Sequence, residues 1–248
     1  MSRASTPGLP ALALLLGAAL AGPALAQAQV EAQVQRPEGR IYAPGAFDRL
    51  EISGSATITL RQGEHDQVFI AGDAQMQKSV EVELDERRLT IKPAGSWKFW
   101  TSSRLQIEVQ MRQISQLTLS GASDLNAPGP IKADRLGISI SGAGLARLDD
   151  LNAGQLRFDI SGAGDGRLAG QAGELNLSVS GKGKLLAEQL KAARATVSIS
   201  GVGNANVWVT DQLRVSISGI GSVDYWGQPE LRRSTSGLGS VNARGDKR

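Results

Sequence analysis

Alternating apolar and polar residues recur through the second half of the chain. Residues 156–160 read Leu-Arg-Phe-Asp-Ile, residues 175–179 read Leu-Asn-Leu-Ser-Val, and residues 213–217 read Leu-Arg-Val-Ser-Ile. A period of two places every second side chain on the same face of a strand. These segments therefore predict β-strands with one buried face, and their Leu, Ile, Val and Phe side chains form the candidate core.

A Ser-Gly-x-Gly motif follows these strands and returns about every 20 residues, which is typical of stacked repeats. Its copies begin at Ser141, Ser161, Ser180, Ser200, Ser218 and Ser236, and a weaker copy begins at Ser120. Glycine reaches backbone conformations that are closed to other residues, so each motif predicts a sharp corner. A second, shorter alternation follows the corner, as in residues 205–209.

A single repeat of this kind cannot fold alone. About five inward apolar side chains contribute roughly 7–15 kcal/mol, whereas ordering about 20 residues costs roughly 30 kcal/mol. Stacking between neighbours completes the hydrogen bonds and the core. We therefore predict an all-β fold, a parallel β-solenoid (expected as a right-handed β-helix) of about seven coils over residues 120–243.

Two other interpretations of the repeat region compete with this one. A leucine-rich repeat has a similar period, and residues 145–152 resemble one fragment of it. Residues 185–195 have good helix propensity, but they lie inside one regular period, so we expect tertiary context to override it.

The first residues have the composition of a secretory signal peptide over residues 1–26. Arg3 is followed by an apolar stretch at 9–20 and by the small-residue cleavage pattern Ala-Leu-Ala at 24–26. We expect a flexible lead-in over 27–45 and a tail over 244–248. No later segment is apolar enough to span a membrane.

Residues 46–119 are rich in strand patterns that follow a different register. Candidate strands lie at 56–60, 67–70, 80–84, 89–91 and 105–109, and the charged residues 85–88 suggest a hairpin turn. We expect this part to start the stack and to cap its open end, which would otherwise invite association through strand edges.

Composition removes several classes of function. The chain has no cysteine and one histidine, His65 in a predicted turn, so we expect no metal site and no cofactor. A net charge of +3 is too small to indicate nucleic-acid binding. A polysaccharide-cleaving enzyme needs clustered carboxylates. The acids closest together in the repeats are Asp149, Asp150, Asp159 and Asp165. They do not share a column in the repeat alignment, so we expect no enzyme.

The eighth position after each motif serine supplies the candidate ligand-binding surface. It reads Asp149, Ala169, Glu188, Trp208, Trp226 and Arg244. The alternation directs Trp208 and Trp226 outward on adjacent coils, and exposed aromatic pairs with polar neighbours suit sugar rings. The candidate residues are Trp208, Trp226, Asn206, Asp224 and Glu188. Alternatively, the pair is structural, or the tail folds over it.

A second aromatic cluster lies in a Ser-rich segment between strands. Trp97, Lys98, Phe99 and Trp100 are candidates for contact with a partner or a surface. Packing of the same side chains onto the first coil is the alternative.

Three features together resemble a known family. Residues 47–52 read Phe-Asp-Arg-Leu-Glu-Ile, Ile-Ser-Gly-x-Gly repeats follow, and residues 225–229 read Tyr-Trp-Gly-Gln-Pro. This combination, over about residues 46–241, resembles the bacterial "putative auto-transporter adhesin, head GIN domain" family. The resemblance implies an exported β-helical domain of unknown molecular function.

We therefore expect a non-enzymatic, exported binding module for an envelope polysaccharide or a protein partner. The periplasm is the expected compartment, with the cell surface or secretion as alternatives. A polysaccharide-active β-helix enzyme and a purely structural, self-assembling envelope protein are the alternative functions.

Overall fold

The computed structural model describes residues 38–95 and 104–247, which form one sheet of 16 strands wound into a stack. In chain order the first elements are β1 (Gly39–Tyr42), β2 (Arg49–Ile52), β3 (Ala56–Gln62), β4 (Gln67–Ala71), α1 (Ala74–Lys78), β5 (Val80–Asp85), β6 (Arg88–Pro93), β7 (Leu105–Met111) and β8 (Gln116–Leu119). The later strands are β9 (Asp124–Ile140), β10 (Ala143–Ile160), β11 (Ala163–Val179), β12 (Lys182–Ile199), β13 (Val202–Ile217), β14 (Ile220–Trp226), β15 (Glu230–Thr235) and β16 (Leu238–Ala243).

The long strands β9 to β13 form a parallel β-solenoid, which confirms the predicted fold. Each pairs in parallel with the next, so that Leu156 lies opposite Leu175 and Phe158 lies opposite Leu177. These apolar side chains are buried, as the alternation predicts. The solenoid has about six turns, close to the seven expected.

One strand occupies almost the whole interval between successive Ser-Gly steps. The repeat is therefore not two separate short strands, because the middle of each coil is marked only by an irregularity in the pairing register. Residues 145–152 continue as strand within β10, and the helix-favouring residues 185–195 lie within β12. Pairing with both neighbouring coils overrides the local helix propensity, as expected.

The first glycine of each motif is required for a reason that differs from the prediction. None of these glycines has the left-handed backbone conformation that we expected at a corner. Instead, a Cβ atom on Gly162, Gly181 or Gly201 would overlap the carbonyl oxygen of the equivalent glycine one coil earlier. The hydrogen-bond ladder continues through this close approach, since the Lys182 amide donates to the Gly162 carbonyl at 2.9 Å.

The N-terminal strands extend the same stack out of chain order. Strand β2 pairs in parallel with both β6 and β8, and β3 pairs in parallel with both β7 and β9. The segment β2–β3 therefore lies between β6–β7 and β8–β9. Antiparallel strands β1, β4 and β5 join this end, and β5 and β6 form the expected hairpin.

The predicted lead-in and the predicted signal peptide both precede the repeats. Part of the lead-in is not flexible, because β1 at Gly39–Tyr42 pairs with β4. The predicted signal peptide, residues 1–26, lies outside the described residues. Within 38–95 and 104–247, no helix is long and apolar enough to cross a membrane.

In the last complete coil, formed by β14 and β15, exposed polar residues replace two of the inward-facing apolar side chains. Val215 and Ile217 are buried in β13, and their partners in β15 are Arg233 and Thr235, which are both exposed. Strand β15 pairs only with β13 among the described strands. An inward-pointing charge at the end of a stack opposes the addition of another coil.

The glycine column allows a direct test of the close approach between coils. We expect Gly181→Ala to lower the free energy of unfolding by at least about 2 kcal/mol, since the new Cβ overlaps backbone that cannot move alone. Gly129→Ala is the matched control, because a Cβ at Gly129 meets no atom within 4 Å. Denaturant unfolding of both variants measures the difference, and equal stabilities would refute the steric explanation.

Candidate functional site

Trp208 and Trp226 lie opposite each other on adjacent coils. Trp208 belongs to β13 and Trp226 ends β14, and the two strands pair in parallel with these residues in register. Val207 and Val209 on either side of Trp208 are fully buried, so the pleat directs the Trp208 indole outward. Both tryptophans are half-buried.

Glu188 does not occupy the column position that equal repeat spacing predicts. The register between β12 and β13 shifts between Ala187 and Lys191, so that Lys191 pairs with Trp208. Residues 188–190 form a bulge that has no partner in β13. A bulge removes backbone groups from the ladder and re-aims them. The motif serines at 180, 200 and 218 show that this coil is two residues longer than the next one, but they do not show where the extra residues lie.

The bulge carbonyl and both indoles surround one ammonium group. Lys247 Nζ donates a hydrogen bond to the Glu188 carbonyl oxygen. The same nitrogen lies 5.6 Å from the ring centroid of Trp208 and 5.6 Å from that of Trp226. Lys191 Nζ lies 5.7 Å from the Trp208 centroid. These distances are within the range of cation–π attraction, about 6 Å.

Residues 244–247, here called the closing segment, are held against β14. The Arg244 amide donates to the Tyr225 carbonyl at 2.8 Å, and the Gly227 amide donates to the Gly245 carbonyl at 3.0 Å. The Gln228 side-chain amide donates to Asp246 at 2.9 Å. The expected tail is thus ordered over these residues, and it folds over the tryptophan pair, as one of the sequence alternatives proposed.

Asp224 anchors the closing segment electrostatically. The Arg244 guanidinium, 2.9 Å away, holds the pKa of Asp224 below its ordinary value. The Asn242 side-chain amide donates to the other carboxylate oxygen at 2.9 Å and acts in the same direction, while partial burial opposes both. Asn206 lies opposite Asp224 in the neighbouring strand.

Glu188 also carries a buried carboxylate oxygen. Its Oε2 atom has no hydrogen-bond partner among the described residues. A buried polar atom without a partner is costly and requires an explanation. It belongs to the same bulge whose carbonyl binds the Lys247 ammonium.

The other candidate chemistry is dispersed over the surface. Asp149 and Asp159 each accept a hydrogen bond at 2.7 Å from an arginine two residues earlier in the same strand, Arg147 and Arg157. His65 is exposed in a turn. Within the described parts of the chain, no three acidic or histidine side chains converge as metal ligands do.

The structure brings together some of the predicted residues and adds two more. Trp208, Trp226, Asn206 and Asp224 share one face, and Glu188 approaches it through its backbone. Lys191 and Lys247 complete the surface, but sequence reasoning missed them because neither follows the repeat column. The second aromatic cluster, Trp97, Lys98, Phe99 and Trp100, lies outside the described residues.

The Asp224–Arg244 ion pair predicts how the closing segment responds to pH. A lowered carboxyl pKa means that this contribution is complete above the ordinary aspartate value of about 4 and is lost as the pH falls through the lowered value. We therefore expect the indole NMR signals of Trp208 and Trp226 to stay constant from pH 7 to about 4 and to shift below it. The variant Asp224→Asn should abolish this acid transition. A midpoint above pH 4, or a transition that persists in the variant, would contradict this role.

Comparison with solved structures agrees on the fold. A "putative adhesin" from Bacteroides fragilis is 21% identical, with a TM-score of 0.77 over 84% of this chain and 97% of that protein. A "putative lipid binding protein" from Parabacteroides distasonis is also 21% identical, with a TM-score of 0.64 over 85% of this chain and 97% of that one. No curated protein sequence matches the chain.

A family model described as "putative auto-transporter adhesin, head GIN domain" matches residues 46–229. This range extends from the loop before β2 to the end of the Tyr-Trp-Gly-Gln-Pro segment and includes Trp208 and Trp226. The match confirms the resemblance derived from the repeats, and the chain belongs to this family.

Proposed function

We propose that the protein is an exported, periplasmic, non-enzymatic binding module. Its ligand surface consists of Trp208 and Trp226, with Asn206, Asp224 and Glu188 beside them. The ligand is an envelope glycan or a protein partner. The names given to the family and to its structural neighbours describe binding proteins, which supports this class of function.

The observation that carries the proposal is the in-register pair of half-buried tryptophans on a parallel sheet. Indoles combine a large apolar face with an N–H donor and few rotatable bonds, so they bind ligands at a low entropic cost. The flanking strands hold both rings in place before any ligand arrives, and such preorganisation favours binding.

A second surface favours an apolar ligand. Val202, Ile220 and Leu238 are exposed and stacked in register on three successive coils. The first two border a groove of about 540 Å³ that is also lined by the second glycine of several motifs and by the charged residues Asp165, Lys182 and Lys184. The Parabacteroides distasonis relative named a "putative lipid binding protein" makes an acyl chain the natural candidate for this groove.

The remaining alternatives have less support. A polysaccharide-cleaving enzyme would need free carboxylates in one place, whereas Asp149 and Asp159 are engaged by arginines in their own strands. Self-assembly by end-to-end stacking is opposed by the exposed Arg233 at an inward position of the last coil.

The two surfaces can be separated by paired variants. We expect Trp208→Ala/Trp226→Ala to reduce binding to peptidoglycan or envelope polysaccharide at least about tenfold, because both aromatic faces available for stacking are removed. The variant Val202→Ser/Ile220→Ser is the matched control and should bind these polymers normally.

Calorimetric titration of both variants with the polymers and with fatty-acid micelles distinguishes the candidates. Loss of micelle binding in the Val202→Ser/Ile220→Ser variant alone would favour the apolar ligand. Polymer binding that is unchanged in the tryptophan variant would overturn the proposed surface.

A further inference from the structure

We infer that the Trp208–Trp226 surface recognises a lysine side chain of a partner polypeptide, and that Lys247 occupies this site within the chain. The inference rests on the proposed function and specifies the ligand. The evidence for the inference is that the groups around the Lys247 ammonium are those that bind a cationic ligand.

Three electron-rich groups converge on the Lys247 nitrogen. The Glu188 carbonyl accepts its hydrogen bond, and both indole centroids lie 5.6 Å away. An ammonium held between aromatic faces is the geometry by which proteins recognise alkylammonium ligands. A neutral sugar ring could donate a hydroxyl hydrogen bond to the carbonyl, but it would bring no positive charge to the two indole faces.

The bulge makes this carbonyl available. Glu188 has no register partner in β13 or in β11, so its carbonyl lies outside the backbone ladder. A carbonyl accepts only from a group that carries a hydrogen atom. The site therefore selects a primary ammonium over a quaternary one, because a trimethylated nitrogen has no N–H to donate.

The side chains at the bulge and at the tryptophan pair carry charges of both signs. Glu188 contributes a carboxylate oxygen that is buried and has no hydrogen-bond partner among the described residues. Lys191 brings a second ammonium to 5.7 Å from the Trp208 centroid despite the nearby positive charge of Lys247. Trp208 thus attracts cations from two separate segments of the chain.

The closing segment can be displaced because few contacts hold it. Besides the contacts of Lys247 itself, its anchors are two backbone hydrogen bonds, the Gln228–Asp246 hydrogen bond and the partly exposed Arg244–Asp224 ion pair. A tethered group competes with a free ligand and reduces its apparent affinity in proportion to the fraction of molecules in which the site is free. Removal of the Lys247 ammonium should therefore open the site to an external lysine.

The test uses the full chain and resolves the indole N–H signals of its four tryptophans by NMR. The variants Trp208→Phe and Trp226→Phe assign the two relevant signals. The probes are Nα-acetyl-lysine amide, the uncharged Nα-acetyl-norleucine amide and the Nε-trimethyl derivative of the lysine compound. Ethanolamine phosphate and glucosamine represent lipid and sugar sources of the same ammonium group.

We expect Lys247→Ala to bind Nα-acetyl-lysine amide at least about tenfold more tightly than the parent chain, as removal of an internal occupant that fills the site about nine-tenths of the time requires. The shifts should be confined to Trp208 and Trp226, and both the norleucine and the trimethylated probes should bind weakly. Lys78→Ala removes an exposed lysine from the last turn of α1, which belongs to neither proposed ligand surface. It is the matched control and should behave like the parent.

Equal binding of the lysine and norleucine probes would overturn the inference, because it would show an apolar site rather than a cation site. Tighter binding of ethanolamine phosphate or glucosamine would refute a polypeptide source. Polymer binding that depends on the tryptophans, without any lysine binding by Lys247→Ala, would contradict the inference and leave the proposed function intact. An opened site that binds neither polymer nor lysine would overturn both.

Discussion

The structure depends on a parallel hydrogen-bond ladder that continues from coil to coil through the Ser-Gly steps. At each step the amide that follows the first glycine donates to the equivalent glycine carbonyl of the preceding coil, at 2.9–3.0 Å. The backbones approach so closely here that no Cβ atom fits. A single fixed register then aligns every side chain with its equivalents above and below, and this alignment produces the buried core columns.

The candidate site combines one place where the coil register is regular with one place where it is interrupted. Because the register is maintained between β13 and β14, Trp208 and Trp226 become neighbours. Because it is interrupted at residues 188–190, a carbonyl is released from the ladder and accepts from Lys247. The closing segment then joins both features through one ammonium group. A regular scaffold thus provides rigid aromatic rings, and one local irregularity supplies the polar group that distinguishes among ligands.

The sequence was sufficient to predict the repeats, the buried faces and the tryptophan neighbours, because these follow from strict periodicity. It could not predict the position of Glu188, because the motif spacing shows that the coil of β12 is two residues longer than that of β13 but does not show where the extra residues lie. Lys191 and Lys247 were missed because their contacts join segments that lie outside the repeat column. The role of the motif glycines was misassigned: a glycine needed for close approach and one needed for a left-handed backbone look the same in a sequence. The out-of-order insertion of β2 and β3 leaves no periodic signal at all.

Amide hydrogen exchange would test the continuity of the ladder most directly. The amides of Ala163, Lys182 and Val202 follow the motif glycines and donate across the coils at 2.9 Å. If the ladder continues through the corners, these amides should exchange as slowly as those of the buried strand centres and should open only with global unfolding. Exchange as fast as that of the exposed turn residues Glu64 and His65 would show that the corners are open loops, and it would contradict a continuous ladder.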